Sequence, residues 1–105
     1  MALTKQQYES LKEAFDAAFD AGRDQYRCGT AAERGDYYRF TSALFAAAPD
    51  LEYPTPSLKE SFAAIWNPKG CFRAETAEER LAYQTFSADL TNAAPEIMRF
   101  NAPKA

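Results

Sequence analysis

Residues 14–21 read AFDAAFDA, a four-residue unit written twice, and this stretch points to the fold class. A spacing of four residues is close to one turn of an α-helix, so Phe15 and Phe19 are expected to stack on one helical face. Burying a phenylalanine contributes about 1.5–3 kcal/mol, whereas an exposed ion pair contributes about 0–1 kcal/mol. The phenylalanines are therefore expected to specify the fold, and Asp16 and Asp20 to remain in water.

The composition of the whole chain also favours helices. Its 105 residues include 21 alanines and 7 leucines, but only 2 isoleucines and no valine. Alanine is the best helix former, whereas strands favour β-branched side chains. The length indicates one domain, and an apolar fraction of 47% is enough for one hydrophobic core. We expect a single helical domain over residues 1–105, without a long internal repeat.

Four places carry the signature of a capping box, in which Ser or Thr at a helix start is followed three residues later by Glu or Gln. They are Thr4 with Gln7, Thr30 with Glu33, Ser57 with Glu60, and Thr76 with Glu79. The spacing of apolar residues predicts helices that follow these starts. The predicted helices cover residues 5–28, residues 31 or 36 to 48, residues 58–66 and residues 77–92.

Prolines separate and end these helices. Three prolines between residues 49 and 56 make that connector irregular. Pro95 is expected to open a separate last turn that carries Ile97, Met98 and Phe100. The sequence thus predicts an all-α fold, a compact single-domain bundle of about four mainly antiparallel helices with a proline-rich connector and a short C-terminal helical turn.

The residue types of the chain argue against enzymatic activity. It contains no histidine, which removes the usual Ser-His and Cys-His pairs, histidine general bases and most zinc sites. The phosphate-binding patterns GxxxxGK[ST] and GxGxxG are also absent. The acidic residues Glu75, Glu78 and Glu79 precede or open a helix, where they complement the helix dipole. We expect no catalytic residue, no cofactor and no bound metal.

Charge and hydropathy limit the location and the partners. The net charge of −3 disfavours general nucleic-acid binding. No apolar run reaches about 18 residues, and the start MALTKQQYES does not resemble a signal peptide, so neither membrane association nor secretion is expected. We predict a cytoplasmic protein in which Cys28 and Cys71 are reduced thiols.

A first helix that extended to residue 28 would gather acidic side chains within an arc of roughly 80°. This acidic ridge consists of Glu9, Glu13, Asp16, Asp20 and Asp24. It has two interpretations, a docking strip for a partner protein with a basic surface or the ordinary solvated face of a helix. The solvated face is favoured, and Glu13, Asp16, Asp20 and Asp24 remain secondary candidates for partner binding.

Arginine and tyrosine alternate around the junction of the first two predicted helices. The residues concerned are Arg23, Arg27, Arg34 and Arg39 with Tyr26, Tyr37 and Tyr38. Such a mixture can bind phosphates and stack on bases. Because neighbouring carboxylates nearly cancel the charge, internal pairing of the arginines is the favoured interpretation.

The most unusual stretch is IWNPKGCFR at residues 65–73. Tryptophan, phenylalanine and arginine dominate the energetics of protein–protein interfaces, and loops often carry function. We therefore select Trp66, Lys69, Phe72 and Arg73 as the principal partner-binding candidates. The alternative, of equal weight, is that Trp66 and Phe72 fold under the loop and close the core.

The function that the sequence favours is a non-enzymatic protein–protein interaction module, an adaptor or inhibitor that binds and blocks a partner protein. Its size and charge fit the anti-defence inhibitors that phages and plasmids encode, although no motif does. The alternatives are a nucleic-acid-binding accessory protein that uses the Arg/Tyr junction, and a regulatory domain with a small-ligand pocket between aromatic helices. A homodimer and a monomer that buries its aromatic residues fit the composition equally.

Overall fold

The computed structural model describes residues 3–102, and within them it has four α-helices. They are α1 (Lys5–Ala18), α2 (Ala31–Ala47), α3 (Pro56–Ile65) and α4 (Ala77–Phe100). The predicted all-α class with four helices is confirmed. None of the helices in this range is both long enough and apolar enough to cross a membrane.

Two small antiparallel hairpins, which the sequence did not predict, connect the helices in pairs. In hairpin 1 (residues 19–26), β1 (Phe19–Asp20) pairs with β2 (Gln25–Tyr26). In hairpin 2 (residues 66–72), β3 (Trp66–Asn67) pairs with β4 (Cys71–Phe72). Each pair of helices and its hairpin therefore form one helix–hairpin–helix segment.

The chain divides into two compact units that coincide with these segments. Unit 1 contains residues 3–52 and 101–102, and unit 2 contains Tyr53–Phe100. Within unit 1, the Asn101 side chain exchanges two hydrogen bonds of 2.9 Å with the backbone of Glu52. The single-domain organisation expected from the chain length stays a prediction.

The two units are repeats of one sequence, so the expectation of no long internal repeat is wrong. The stretch SLKEAF at residues 10–15 recurs as SLKESF at residues 57–62. The pattern RxxTAxERxxYxxFxxxLxxAAP runs from Arg27 to Pro49 and recurs from Arg73 to Pro95. The offset falls from 47 residues to 46 between these matches because the loop of hairpin 1 is one residue longer.

Helix α1 ends at Ala18, ten residues before the predicted end at Cys28. The last four carbonyl groups of a helix have no partner within the helix and must be satisfied from elsewhere. The Phe19 N–H bonds to the first of them, Phe15 O. Arg27 satisfies the other three: its backbone N–H donates to Ala18 O at 2.8 Å, and its guanidinium donates to the carbonyls of residues 16 and 17 at 3.1 and 3.2 Å.

Arg73 occupies the corresponding position at the end of α3. Its backbone N–H donates to Ile65 O at 2.7 Å, and its guanidinium donates to Ala64 O at 3.4 Å. The Trp66 N–H closes the helix end on Phe62 O, as Phe19 does in unit 1. A cation at a helix C-terminus is also favoured by the helix dipole. The same interaction thus turns the chain from helix into hairpin in both units.

The two units also share the side-chain hydrogen bonds that begin the helix after each hairpin. Thr30 with Glu33 and Thr76 with Glu79 form the predicted capping boxes. The arginine after each glutamate donates back to the connector, from Arg34 to Cys28 O at 3.3 Å and from Arg80 to the carbonyls of residues 74 and 75 at 3.4 and 2.9 Å. These contacts hold the few residues between hairpin and helix in one conformation.

At the other helix starts, one prediction is confirmed and one is wrong. The Thr4–Gln7 capping box is present at α1. Helix α3 is capped by Thr55 and not by Ser57, because Pro56 fills the first helical position, where its missing N–H costs nothing. The Thr55 hydroxyl accepts the Leu58 N–H at 3.2 Å.

Aromatic rings form the same cluster in each unit, with a fully buried phenylalanine of the second helix at its centre. In unit 1, the centroid of the Phe15 ring lies 5.3 Å from that of the buried Phe40 and 4.9 Å from that of Phe19. In unit 2, Phe62 lies 5.7 Å from the buried Phe86 and 5.5 Å from Trp66. The stacking of Phe15 on Phe19 predicted from the opening stretch is confirmed, although Phe19 lies just beyond the helix.

Within each unit the two helices run antiparallel. In unit 1, Leu11 near the start of α1 and Ala47 at the end of α2 line one groove, while Phe15, later in α1, contacts Phe40, earlier in α2. In unit 2, Phe62 contacts Phe86, and Ala64, later in α3, lines a groove with residues from the start of α4. The antiparallel arrangement expected for the bundle therefore holds inside each unit.

The equivalent prolines Pro49 and Pro95 have different effects. After α2 the chain tightens into a 3-10 turn at Ala48–Asp50 that contains Pro49. Pro95 instead lies inside α4, which continues to Phe100 with Ile97 and Met98 buried. The predicted separate C-terminal turn is therefore wrong, because burial of these apolar residues keeps the helix intact across the proline.

We predict that Arg27→Ala lowers the free energy of unfolding by about 1–2 kcal/mol, because it removes two charge-assisted hydrogen bonds at the partly exposed end of α1. Arg73→Ala should cost a similar or smaller amount, since its guanidinium bond at 3.4 Å is longer. Urea titrations followed by circular dichroism measure both losses.

The matched control is Arg23→Ala, which removes an arginine from the loop of hairpin 1. The Arg23 side chain is 77% exposed and lies 3.9 Å from Asp20. Its loss should change stability by less than about 0.5 kcal/mol. Equal losses for the Arg23 and Arg27 variants would contradict a specific role of Arg27.

Candidate functional site

The selected stretch around Trp66 is hairpin 2, in which Trp66 and Phe72 face each other across the two strands. Their ring centroids are 5.0 Å apart in an edge-to-face arrangement. Trp66 also stacks on Phe62, and Phe72 lies 5.4 Å from Tyr83. Both rings are half-buried, so each contributes to the aromatic cluster and keeps part of its surface in contact with water.

The tip of hairpin 2 is fixed by its own residues. The Asn67 side-chain oxygen accepts the Lys69 N–H at 3.0 Å, and Gly70 adopts φ +100°, a conformation that favours glycine. The Lys69 side chain is exposed. No carboxylate of the described residues lies within ion-pair distance of it. The structure therefore places Lys69, without an ion-pair partner among the described residues, in the loop of the hairpin whose strands carry Trp66 and Phe72.

Arg73, the fourth principal candidate, has a structural task. Its backbone and guanidinium hold the end of α3, as described above. The equivalent Arg27 does the same for α1. Partner binding by Arg73 stays a prediction, but the fold alone accounts for its presence.

Hairpin 1 gives the comparison that sequence reasoning lacked. Phe19 and Tyr26 form the cross-strand aromatic pair, with ring centroids 5.1 Å apart. The Asp20 carboxylate accepts the backbone N–H groups of residues 22 and 23 and also pairs with the Arg23 guanidinium. Asp24 adopts φ 54° at the position of Gly70. Hairpin 1 therefore has the same cross-strand aromatic pair as hairpin 2, but the charge of its loop arginine, Arg23, is paired with the Asp20 carboxylate.

The acidic ridge does not exist as one helical surface, because α1 ends at Ala18. Glu13 and Asp16 lie on α1, where Asp16 pairs with Lys12 at 3.2 Å. Asp20 and Asp24 belong to the turn of hairpin 1, at the positions of Asn67 and Gly70. The prediction that Asp20 and Asp24 lie on the same helix as Glu13 and Asp16 is therefore wrong. Partner binding by these four acidic residues stays a prediction.

All four arginines of the Arg/Tyr junction contact protein oxygens. Arg27 and Arg34 donate to backbone carbonyls. Arg23 pairs with Asp20 at 3.9 Å, and Arg39 pairs with Asp36 at 3.2 Å. Pairing with neighbouring carboxylates, the favoured interpretation, therefore holds for Arg23 and Arg39, whereas Arg27 and Arg34 bond to backbone carbonyls.

The phenols beside these aromatic clusters are uncharged at neutral pH. Burial raises the pKa of the Tyr26 phenol well above its ordinary value, and the adjacent Tyr37 raises it further. Burial alone raises the pKa of the Tyr53 phenol in the same direction.

Sequence reasoning missed one exposed apolar residue. Leu81 on α4 is 64% exposed, although its spacing from neighbouring apolar residues gave no reason to single it out. Aligning the two repeats identifies it, because Gly35 is the equivalent residue of unit 1.

Comparisons with protein-family models, with curated proteins and with solved structures give no match to this chain. No group of three or more metal-binding side chains is present within residues 3–102.

The equivalence of Trp66 and Phe19 predicts how hairpin 2 responds to substitution. Trp66→Phe installs the residue that hairpin 1 uses and should change the free energy of unfolding by less than about 1.5 kcal/mol. Trp66→Ala should cost about 2–3 kcal/mol, because it removes the ring contacts to Phe62 and Phe72 from a half-buried site. Thermal unfolding followed by circular dichroism measures both changes. Wild-type stability of Trp66→Ala would show that the ring is not part of the cluster.

Proposed function

We propose that this chain is a non-enzymatic protein-binding module, and that hairpin 2 is its principal contact surface. The observation that carries the proposal is the half-exposed Trp66–Phe72 pair beside the unpaired Lys69. Aromatic rings provide large contact areas at low entropic cost, and they dominate binding energy at protein interfaces. A cation at their edge adds orientation and specificity.

The comparison of the two hairpins supports this assignment. Both contain a cross-strand aromatic pair, so the pair itself serves the fold. Hairpin 2 has tryptophan where hairpin 1 has Phe19, and Asn67 where hairpin 1 has Asp20, so Lys69, at the position of Arg23, lacks the carboxylate with which Arg23 pairs. Neither change is needed to form the hairpin, since hairpin 1 forms without them. A binding role accounts for both.

The proposed mode of action is occupation of a partner protein, as by an adaptor or inhibitor. The size and charge of the chain fit inhibitors that phages and plasmids encode, and this assignment is part of the proposal. A cytoplasmic location belongs to the same proposal, and the free, exposed thiols of Cys28 and Cys71 are compatible with it. The tip of hairpin 2 is basic and would meet an acidic or carbonyl-rich site on the partner.

Affinity purification with tagged full-length protein tests the proposal. We expect the wild-type chain to retain one dominant protein from lysate of its native cell, identified by mass spectrometry. The double variant Trp66→Phe/Lys69→Ala should retain at least about tenfold less, equivalent to a loss of about 1.4 kcal/mol of binding free energy. Its circular dichroism spectrum should match that of the wild type.

The control is Lys59→Ala, which removes an exposed lysine from α3 in the same unit. It alters the net charge as Lys69→Ala does, and it should leave retention unchanged. Retention of nucleic acid alone would contradict the proposal. Equal retention by the hairpin 2 double variant would also contradict it.

A further inference from the structure

Unit 2 carries a shallow apolar groove between α3 and α4, and none of its lining residues belongs to hairpin 2. The groove has a volume of about 330 Å³. It is lined by Ser61, Ala64, Glu78, Leu81, Ala82 and Thr85. Leu81 leaves 64% of its surface in water at this site, where helix surfaces normally carry polar residues.

The same place in unit 1 has a different surface. Gly35 stands at the position of Leu81, and a β-carbon added there would meet no atom within 4 Å. Asp36 and Arg39 replace Ala82 and Thr85 and form an ion pair of 3.2 Å. Unit 1 therefore shows that the fold requires neither an apolar residue at position 81 nor small residues at positions 82 and 85.

The differences between the two units create the groove. Replacing an ion pair by alanine and threonine removes a carboxylate and one long guanidinium side chain, and replacing glycine by leucine adds apolar surface. The exposed part of the Leu81 side chain contributes nothing to folding until another surface covers it, and full burial of a leucine is worth about 1.5–3 kcal/mol. The groove is therefore suited to receive an apolar side chain.

The edges of the groove are acidic. Glu78 lines it, and Asp89 lies eleven residues further along α4, which is three helical turns on the same face. Glu60 precedes Ala64 by one turn of α3. All three carboxylates are exposed, and none forms an ion pair with another described residue. Their charge is available to an approaching cationic group.

We propose that this groove is a second docking site, and that it binds a partner segment in which one apolar side chain is flanked by lysine or arginine. The apolar side chain would cover Leu81 between Ala64 and Ala82, and the flanking cations would approach Glu78 and Asp89. The inference adds a surface and a partner chemistry to the protein-binding function proposed above and depends on that function.

Charge distinguishes this occupant from a second copy of the chain. A twofold contact through the groove would place each acidic edge close to an acidic edge of the other copy. Like charges at an interface are unfavourable. A basic segment of another protein meets the same edges with opposite charge.

Selection from a displayed library of short random peptides on immobilised full-length protein tests the proposal. We expect enrichment of peptides that have one large apolar residue between Lys or Arg residues. The double variant Ala82→Asp/Thr85→Arg installs the ion pair of unit 1 and should bind these peptides at least about tenfold more weakly in anisotropy titrations. Binding to the wild type should weaken as salt rises.

Two further variants make the result specific. Leu81→Gln keeps a good helix former, leaves the neighbouring residues unchanged, and should also weaken binding, which provides a test if the double variant fails to fold. Asp36→Ala/Arg39→Thr changes the equivalent face of unit 1 and should have no effect. Circular dichroism establishes that each variant is folded.

The results that would contradict the groove proposal differ from those that would contradict the proposal for hairpin 2. Peptides that lack basic flanks, peptides that bind the groove variants unchanged, or no enrichment at all would overturn the groove assignment. A dimer in light scattering that Leu81→Gln dissociates would identify a second copy as the occupant and would overturn it too. Loss of peptide binding only in Trp66→Phe/Lys69→Ala would reject the groove and retain hairpin 2 as the binding surface.

Discussion

The carbonyl groups at the end of a helix must be hydrogen-bonded. In each unit of this chain, the arginine that follows the hairpin donates hydrogen bonds to the carbonyls at the end of the first helix. Arg27 satisfies three carbonyls at the end of α1, and Arg73 holds the end of α3 in the same way. Because the arginine directly follows the second strand, its bonds to the end of the first helix hold the two strands side by side, and an aromatic residue of each strand lies opposite the other in both units. The capping box begins three residues later, so the start of the next helix is fixed as well.

Because the chain contains the same helix–hairpin–helix fold twice, comparing the two units distinguishes residues that the fold requires from residues that it does not require. Residues that both units share, such as the arginine pairs and the capping Thr and Glu, make the same contacts in each unit. Exposed positions that differ without a structural consequence are the better candidates for binding. Leu81 belongs to this second group, and so does the part of Trp66 that remains exposed. Lys69 corresponds to Arg23 but lacks its carboxylate partner. Arg73 belongs to the first, which is why its presence alone is weak support for a binding role.

Local sequence signals predicted the helix starts correctly where the side chain and its backbone partner are close in the chain. Three of four capping boxes are of this kind. The composition of residues 65–73 selected the stretch that forms hairpin 2, but it did not predict the hairpin. The end of α1 could not be predicted in this way, because Phe15 and Phe19 fit a continuing helix and the satisfying arginine lies nine residues beyond Ala18. The groove at Leu81 becomes recognisable only when the two repeats are aligned and Gly35 shows that the leucine is dispensable for the fold.

Amide hydrogen exchange measured by NMR tests most directly whether the two arginines hold the helix ends. The backbone amides of Arg27 and Arg73 bond to the carbonyls of Ala18 and Ile65 at 2.8 and 2.7 Å, so we expect them to be protected nearly as well as amides inside the adjoining helices. The exposed amides of the hairpin loops should exchange rapidly. Exchange of the Arg27 and Arg73 amides at the rate of an unstructured chain would show that the two arginines do not hold the helix ends.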